Sequence, residues 1–204
     1  MSYIIAISGA SGSGKTTIAE KLKAQLSDKY SVLLLSQDNY YNDQAHLTLH
    51  QREKTNYDTP EAFDQHLLHS HLALLANGQH IEAPKYCFET HTRLPETAKH
   101  GSSQVTIIEG LMLFNQAELR SKFDYGVFID TPIDICLLRR INRDVKDRAR
   151  TLDSITDQYL ATVRPMFKHH IEPYKENADT LLSDFDQVDS LLHHLVNKVE
   201  QELG

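Results

Sequence analysis

The chain has 204 residues, 40% of them hydrophobic, which suffices for one substantial core and is short for two, so we expect a single domain over residues 1–204. A formal net charge of −7 argues against a general nucleic-acid binder or a membrane-surface protein, since both usually carry a positive excess. The two cysteines lack metal-ligand spacing, and there is neither a charged leader nor a long apolar run, so we expect a cytoplasmic protein with reduced thiols.

Short apolar runs alternate with helical patterns along the chain. Residues 4–8 and 32–35 flank a helical pattern at Lys15–Leu26, which is typical of a βαβ unit whose strands are buried on both faces. Three further strand candidates follow, at residues 105–108, 126–129 and 180–182. This alternation predicts an α/β fold with a parallel five-stranded sheet flanked by helices.

A long excursion separates the second and third strand candidates. Asp58 or Thr59 can cap a helix, and the apolar spacing predicts that this helix starts at Pro60 and stops at the Asn-Gly pair 77–78. Residues 79–100 have no helical period and are rich in aromatic residues, Thr and His, with two prolines. We therefore expect a small β-hairpin insertion over the carboxyl edge of the sheet, where open α/β folds bind ligands.

A basic helix is predicted from Ile133 to about Arg148, carrying five cations and followed by Arg150. Asp144 and Asp147 lie among these cations and oppose them. The pattern indicates either a solvated helix face with scattered ion pairs or a basic patch that supplies countercharge to phosphates.

Two helical segments complete the chain. Residues 151–174 continue as helix, which we expect Pro173 to end. The apolar spacing from Val188 to Val199 predicts an amphipathic packing helix.

The most specific motif lies between the first strand and the first helix. It fits the phosphate-loop pattern G-x-x-x-x-G-K-[ST], and its residues are Gly9, Ala10, Ser11, Gly12, Ser13, Gly14, Lys15, Thr16 and Thr17. Glycine leaves backbone N–H groups open to phosphate oxygens, and the helix start adds further donors and a positive dipole end. Lys15 adds a charge for the β- and γ-phosphates, and the Thr16 hydroxyl is the expected Mg²⁺ ligand.

Two acidic residues end the strands beside this loop. Asp38 follows the second strand, where it is a candidate general base, a contact of Mg²⁺ through water, or part of a turn-forming Asp-Asn pair. Glu109 follows the third strand candidate, where a carboxylate can reach Mg²⁺ directly or through water.

Several further motifs accompany the loop in a fixed order. They are Ser36-Gln37-Asp38, Lys54-Thr55-Asn56-Tyr57-Asp58, Tyr86-x-Phe88-x-x-His91-x-Arg93, Glu109-Gly110, Asp130-Thr131-Pro132, Arg140-x-x-Arg143-Asp144, Gln158-Tyr159 and Val163-Arg164-Pro165-Met166-Phe167. Together they resemble the uridine kinase (uridine-cytidine kinase) family of phosphate-loop kinases, in register from residue 4 to about residue 179.

The resemblance implies a fold of the P-loop NTPase, or nucleoside monophosphate kinase-like, type. The hairpin at 79–100 would be its nucleoside-binding insertion, and residues 139–158 its lid region with an Arg-rich helix. The implied activity is transfer of the γ-phosphoryl group of ATP or GTP to the 5′-hydroxyl of uridine or cytidine, giving UMP or CMP in pyrimidine salvage. Mg²⁺ as cofactor and a homotetramer are implied as well.

Position by position, the resemblance also implies roles. Asp38 resembles the catalytic base, assisted by Lys15 and Arg143. The nucleoside contacts would be Asp58, Tyr86, Phe88, His91, Arg140, Arg150 and Gln158. Arg143 and Arg148 would face the donor phosphates, and Thr16 and Glu109 match the metal positions.

Two departures from the family pattern leave choices open. Residues 181–186 read Leu-Leu-Ser-Asp-Phe-Asp where the family carries an Ile-Val-Pro-Arg-Gly-like stretch, so the donor base, adenine or guanine, is undetermined. Ala149 replaces a glycine between two lid arginines, which affects lid motion. The preference between uridine and cytidine is also open.

Two alternative functions share the phosphate loop. One is a kinase of another small alcohol, phosphoribulokinase-like or pantothenate kinase-like, although a sugar phosphate would call for cations where the aromatic hairpin lies. The other is a nucleotide-dependent switch protein, which needs a guanine-reading Asn-Lys-x-Asp motif. The Asn-Lys pair at 197–198 is instead followed by Val-Glu within the terminal helix.

Overall fold

The computed structural model describes residues 1–148 and 150–204. The strands are β1 (Tyr3–Gly9), β2 (Val32–Ser36), β3 (Ile81–Ala83), β4 (Tyr86–Cys87), β5 (Thr92–Arg93), β6 (Ala98–His100), β7 (Val105–Gly110), β8 (Tyr125–Ile129) and β9 (Thr180–Leu182). The helices are α1 (Lys15–Leu26), α2 (Leu49–Glu53), α3 (Gln65–Ala76), α4 (Ala117–Arg120), α5 (Ile133–Asp147), α6 (Leu152–Gln158), α7 (Arg164–His170) and α8 (Val188–Leu203).

Five of the strands form one parallel sheet in the order β2-β7-β1-β8-β9. The predicted fold class is therefore confirmed, with the parallel five-stranded sheet, its flanking helices, the hairpin insertion and the Arg-rich helix α5 all present. Residue 149, with the substitution predicted to affect lid motion, lies outside the described part of the chain.

The central strand β1 carries the core on both of its faces. Ile4 and Ala6 pack on one face together with apolar residues of α3, whereas Ile5 and Ile7 pack on the other with residues of α1 and α8. All four side chains are fully buried, because both faces of a parallel sheet are covered by helices. The C-terminal packing helix is confirmed as α8, which lies against α1.

The parallel arrangement places the ends of several strands at one edge of the sheet. The loop after β1, the 3₁₀ turn Gln37–Tyr40 after β2, and the end of β7 at Gly110 all lie there. Polar residues in these segments are held close together by the register of the strands, in which Ser36 is opposite Glu109.

Helix α3 begins later than predicted. The predicted first residue, Pro60, belongs instead to a separate single 3₁₀ turn. Phe63 is then extended, forms a β-bridge with Tyr41 and stacks on its ring at a centroid distance of 4.4 Å. Because this pairing interrupts the helical backbone, α3 starts after Asp64, whose side chain accepts a hydrogen bond from the N–H of Leu67.

The continuous helix predicted over residues 151–174 is also interrupted. Helix α6 passes into one π turn, Tyr159–Val163, before α7, and α7 ends at His170 rather than at Pro173. Pro165 lacks an N–H and its ring conflicts with the carbonyl four residues earlier, so the wider turn immediately before it accommodates the proline.

The insertion between α3 and β7 is a hairpin made of two short antiparallel ladders. Strand β3 pairs with β6, and β4 pairs with β5 nearer the tip. Pro84 and Pro95 lie between the two ladders, where a residue without an N–H cannot continue the pairing.

Within residues 1–148 and 150–204, no helix combines the length and the apolar character needed to cross a lipid bilayer.

Candidate active site

The phosphate loop turns sharply between β1 and α1. Gly12 and Gly14 have φ values of 85° and 103°, a region that side chains disfavour. A Cβ atom on Gly12 would also clash with the carbonyl oxygen of Cys136 in α5. Only glycine therefore allows α5 to pack this closely against the loop.

Lys15 is the first residue of α1 and is buried at the base of the loop. Its Nζ donates a hydrogen bond to the carbonyl oxygen of Ala10, 2.8 Å away. Burial lowers the pKa of Lys15, an effect that the nearby carboxylates of Glu109 and Asp38 oppose. These carboxylates thus favour a charged ammonium group in a site that disfavours isolated charge.

The two acidic residues predicted at the strand ends lie side by side across β2 and β7. The Ser36 hydroxyl donates to Oε1 of Glu109 at 2.7 Å, and Asp38 is the second residue of the 3₁₀ turn Gln37–Tyr40 that follows Ser36. Burial, and secondly the negative charge of Glu109, raises the pKa of Asp38 to about 6. A carboxyl group with this pKa can exchange a proton near neutral pH.

Aromatic rings from the hairpin form one wall of the site. Tyr86 packs against Phe88 edge-on and against Tyr41, with centroid distances of 5.4 and 5.1 Å. His91 stacks on Tyr57 at 5.1 Å, and its own φ of 52° gives the hairpin tip the sharp turn that this stacking requires. Burial lowers the pKa of His91, which favours the neutral form of its ring.

Asp58 lines the cleft together with these rings and is only 7% exposed. Burial raises its pKa, and the positive charge of Arg140 acts in the opposite direction. A recessed carboxylate next to planar rings can accept hydrogen bonds from two neighbouring hydroxyl groups.

Arginines of α5 and of the segment after it form the opposite wall. Arg140 and Arg143 donate to the hydroxyl oxygen of Ser11 in the phosphate loop, at 3.0 and 3.3 Å. Arg140 and Arg150 both donate to the side-chain oxygen of Gln158. The basic patch interpretation of this sequence pattern is thus supported over a solvated helix face, because these side chains point at the loop.

All these groups border one cleft of about 1070 Å³. The predicted residues that line it are Ser11, Gly12, Gly14, Lys15, Thr16, Thr17, Asp38, Asp58, Tyr86, Phe88, His91, Glu109, Arg140, Arg143, Arg148, Arg150 and Gln158. The predicted loop residues Gly9, Ala10 and Ser13 are buried beneath the cleft and do not line it.

Several residues of this site were not predicted from the sequence. Tyr41 and Tyr57 line the cleft, although only their proximity in sequence to Asp38 and Asp58 pointed to them. Arg139 also lines it, with its guanidinium 4.5 Å above the ring of Phe185. A larger omission is Asp144, which is fully buried and forms ion pairs with Arg140, Arg143, Arg148 and Arg150.

The oxygen donors of the cleft suit Mg²⁺. This ion binds hard oxygen ligands, and in kinases it takes one or two from the protein and others from substrate phosphates. Thr16 and Glu109 offer a hydroxyl and a carboxylate that line the cleft beside Asp38. These residues fit a magnesium ion that is shared with phosphate groups.

The sequence was compared with protein families and with characterised proteins. The model of the "Phosphoribulokinase / Uridine kinase family" matches residues 4–190. A uridine kinase of Pectobacterium atrosepticum is 48% identical over 182 residues, which cover 88% of this chain and 85% of that protein. A uridine kinase of Klebsiella pneumoniae is 46% identical over 183 residues, with the same coverage.

Solved structures with the same fold are more distant in sequence. A putative fructose transport system kinase from Silicibacter sp. TM1040 has a TM-score of 0.71 at 23% identity, covering 88% of this chain and 89% of that one. Phosphoribulokinase from Rhodobacter sphaeroides has a TM-score of 0.67 at 17% identity, covering 87% and 68%. At these identities the likeness establishes a common fold.

Proposed function

The chain belongs to the phosphoribulokinase/uridine kinase family, and we propose that it is a nucleoside kinase that phosphorylates uridine or cytidine. It transfers the γ-phosphoryl group of ATP or GTP to the 5′-hydroxyl of the nucleoside, giving UMP or CMP. Its substrates are therefore a small nucleoside and a nucleoside triphosphate.

One observation carries this proposal: the phosphate loop, the carboxyl group of Asp38 and the aromatic wall border a single cleft. A donor whose phosphates lie on the loop and a nucleoside held against Tyr86 would both face Asp38. Phosphoryl transfer depends mostly on this kind of alignment, together with countercharge.

The aromatic wall favours a nucleoside as the acceptor. Tyr86, Phe88 and His91 offer faces on which a planar base can stack, and Asp58 can hold the two ribose hydroxyls. A sugar phosphate would instead call for cations on the hairpin face itself, whereas Phe88 is apolar and burial lowers the pKa of His91, which disfavours its charged form. The alternative of a phosphoribulokinase-like acceptor site is therefore disfavoured.

The remaining residues act on the reacting groups. Asp38 accepts the proton of the 5′-hydroxyl as that oxygen bonds to the γ-phosphorus. Lys15, Arg143 and Arg148 face the oxygens on which negative charge is spread during transfer. When bound, Mg²⁺ neutralises charge on the β- and γ-phosphates, and Thr16 and Glu109 would hold it.

A coupled assay tests the reaction directly. The purified protein is incubated with ATP or GTP and with uridine or cytidine, with and without Mg²⁺, and nucleoside diphosphate release is followed. We expect release that depends on both the nucleoside and Mg²⁺. Slow hydrolysis that no nucleoside accelerates would favour a switch protein, and transfer to pantothenate or a pentose phosphate in place of the nucleoside would contradict the proposal.

Replacement of the proposed base tests the mechanism. Asp38→Asn keeps the size of the side chain and removes its proton acceptor, so we expect kcat to fall roughly 10²- to 10⁴-fold with little change in nucleoside affinity. Asp28→Asn, at an exposed position outside the cleft, is the matched control and should retain full activity. Unchanged turnover in Asp38→Asn would remove this residue from the mechanism.

The resemblance also leads us to propose a homotetramer and a cytoplasmic location. Sedimentation of the purified protein and fractionation of the cells that produce it would check these two predictions.

A further inference from the structure

Asp144 is a buried carboxylate shared by four arginines. It lies on α5 with no exposed surface. Its Oδ1 is 2.9 Å from Nε of Arg143 and 3.6 Å from a terminal nitrogen of Arg148. Its Oδ2 is 3.6 Å from Nε of Arg140 and 3.6 Å from a terminal nitrogen of Arg150.

The charges of this cluster do not balance. One carboxylate offsets one of four guanidinium charges, so a strong positive excess remains beside the phosphate loop. A carboxylate offers roughly four lone-pair sites, whereas each guanidinium has about five N–H donors, so most donors stay available to other acceptors. Oδ2 of Asp144 and Nε of Arg140 are both buried and have no hydrogen-bond partner. Asp144 therefore holds the four arginines close together and leaves most of their N–H donors free to bind other acceptors.

The four arginines reach both the phosphate loop and the hairpin. Arg140 and Arg143 donate to the hydroxyl oxygen of Ser11 in the loop, while Arg148 lies 4.5 Å above the ring of Phe88 on the hairpin. Arg140 and Arg150 share the side-chain oxygen of Gln158.

The backbone strengthens the connection. The N–H of Arg150 donates to the carbonyl oxygen of Asp144 at 3.1 Å, which turns the segment after α5 back over the last turn of that helix. Asp144 thus contacts Arg150 through both its backbone carbonyl and its side-chain carboxylate.

We infer that Asp144 is a positioning residue that couples the donor site to the nucleoside site. The inference rests on the proposed function. Donor phosphates attract Arg143 and Arg148, and as these turn toward the phosphates they compete less for the carboxylate. The carboxylate of Asp144 then pairs more strongly with Arg140 and Arg150. This pairing orders the side of the cleft that faces the nucleoside. Donor binding is therefore expected to increase nucleoside affinity, and nucleoside binding to increase donor affinity by the same factor.

Calorimetric titration of uridine tests this coupling. Binding is measured with and without saturating Mg²⁺ and a non-hydrolysable ATP analogue, and the ratio of the two dissociation constants is the coupling factor. For the unaltered protein we expect a factor of about 5 to 50, within the usual span for coupled sites. In Asp144→Asn, which keeps the shape of the side chain and loses its charge, the factor should fall to about 1.

Two further variants complete the comparison. Asp134→Asn, on the first turn of the same helix and outside the cleft, is the matched control and should keep the full factor. Asp144→Glu restores the charge with a longer side chain and should recover part of the factor. A purely structural role would lower the melting temperature of Asp144→Asn while leaving its coupling factor unchanged, and that result would overturn the inference.

The outcomes separate this inference from the proposed function. If the unaltered protein phosphorylates uridine but binds it equally well with and without the analogue, the coupling is refuted and the kinase activity stands. If it does not phosphorylate any nucleoside, the proposed function fails. If Asp144→Asn does not fold, Arg150→Gln decides: it leaves the carboxylate in place and removes one of the arginines that it holds, so the factor should fall, and a factor equal to that of the unaltered protein would overturn the inference.

Discussion

The carboxyl group of Asp38 is surrounded by charges of both signs. Burial and the charge of Glu109 raise its pKa to about 6, whereas Lys15, Arg148 and Arg143 act to lower it. Asp38 is therefore mostly ionised at pH 7, and its pKa is still close enough to pH 7 for the carboxylate to take up a proton. At the residue scale, the candidate base owes its chemistry to its neighbours as much as to being an aspartate.

The pH dependence of activity follows from this shift. Asp38 must be ionised to accept a proton, so kcat/KM for the nucleoside should fall about tenfold per pH unit below roughly pH 6. An unperturbed aspartate would place this fall near pH 4. The measurement is a pH–rate profile between pH 4.5 and 8.5 in buffers of constant ionic strength, and a profile flat down to pH 5 would contradict the assignment.

The same shift has a consequence for stability. A carboxyl group whose pKa is raised on folding destabilises the folded state above that pKa, and the effect disappears below the unfolded value of 3.8. Because Asp38 is partly exposed, we expect this destabilisation of the folded state to be about 1 to 3 kcal/mol at pH 7.5. Asp38→Asn should therefore have a higher melting temperature than the unaltered protein at pH 7.5, and the difference should vanish near pH 4. A variant that is more stable but inactive could not owe its inactivity to unfolding.

Two structural elements, the hairpin and helix α5, border the cleft from opposite sides. The hairpin carries Phe88 and α5 leads to Arg148, and the guanidinium of Arg148 lies 4.5 Å from the ring centre of Phe88. This cation–π contact is worth about 0.5–1 kcal/mol at an exposed site. Because it is weak, the hairpin and the arginine segment can separate to admit substrates.

Truncation of the hairpin ring tests the role of this element. Phe88 is 41% exposed, so Phe88→Ala should cost little stability, yet it removes a stacking face from the cleft. We expect KM for the nucleoside to rise about 5- to 50-fold, since one base-stacking contact is worth about 1–3 kcal/mol. Leu94→Ala is the matched control, because Leu94 is also 41% exposed on the same hairpin and does not line the cleft. Equal KM values for the two variants would exclude a stacking role for Phe88.

At the scale of the whole molecule, the sheet separates two hydrophobic cores. One contains the α3 side chains and the aromatic residues beneath the hairpin, and the other is formed by α1, α8 and the opposite face of the sheet. The cleft opens at the carboxyl edge above both cores. The second core can therefore be weakened without disturbing the aromatic wall.

Removal of a large side chain from the second core tests this separation. Leu195 on α8 is fully buried, and Leu195→Ala should lower the free energy of unfolding by about 2–5 kcal/mol while leaving both KM values unchanged. Leu181→Ala, at a position that is 45% exposed, should cost less than about 1 kcal/mol. Urea denaturation and steady-state kinetics on the same samples provide the comparison. A change in nucleoside KM for Leu195→Ala would show that the two cores are not independent.

Features encoded by neighbouring residues could be predicted without the structure. The phosphate loop lies within nine consecutive positions, and Asp38 and Glu109 each follow an apolar run that ends at the same edge of the sheet. Periodicity identified the five sheet strands and α8, because burial on a strand or helix face repeats at a fixed interval.

Features that depend on residues distant in sequence became visible only in the folded chain. The start of α3 moved because Phe63 pairs with Tyr41, and Tyr57 entered the aromatic wall because His91 stacks on it. Asp144 has an ordinary place in a charged helix, and its burial becomes visible only when the segment after α5 turns back and brings Arg150 onto the same carboxylate. Spacing along a chain fixes which face a side chain is on, whereas its partners and its exposure to water are set by what packs against that face.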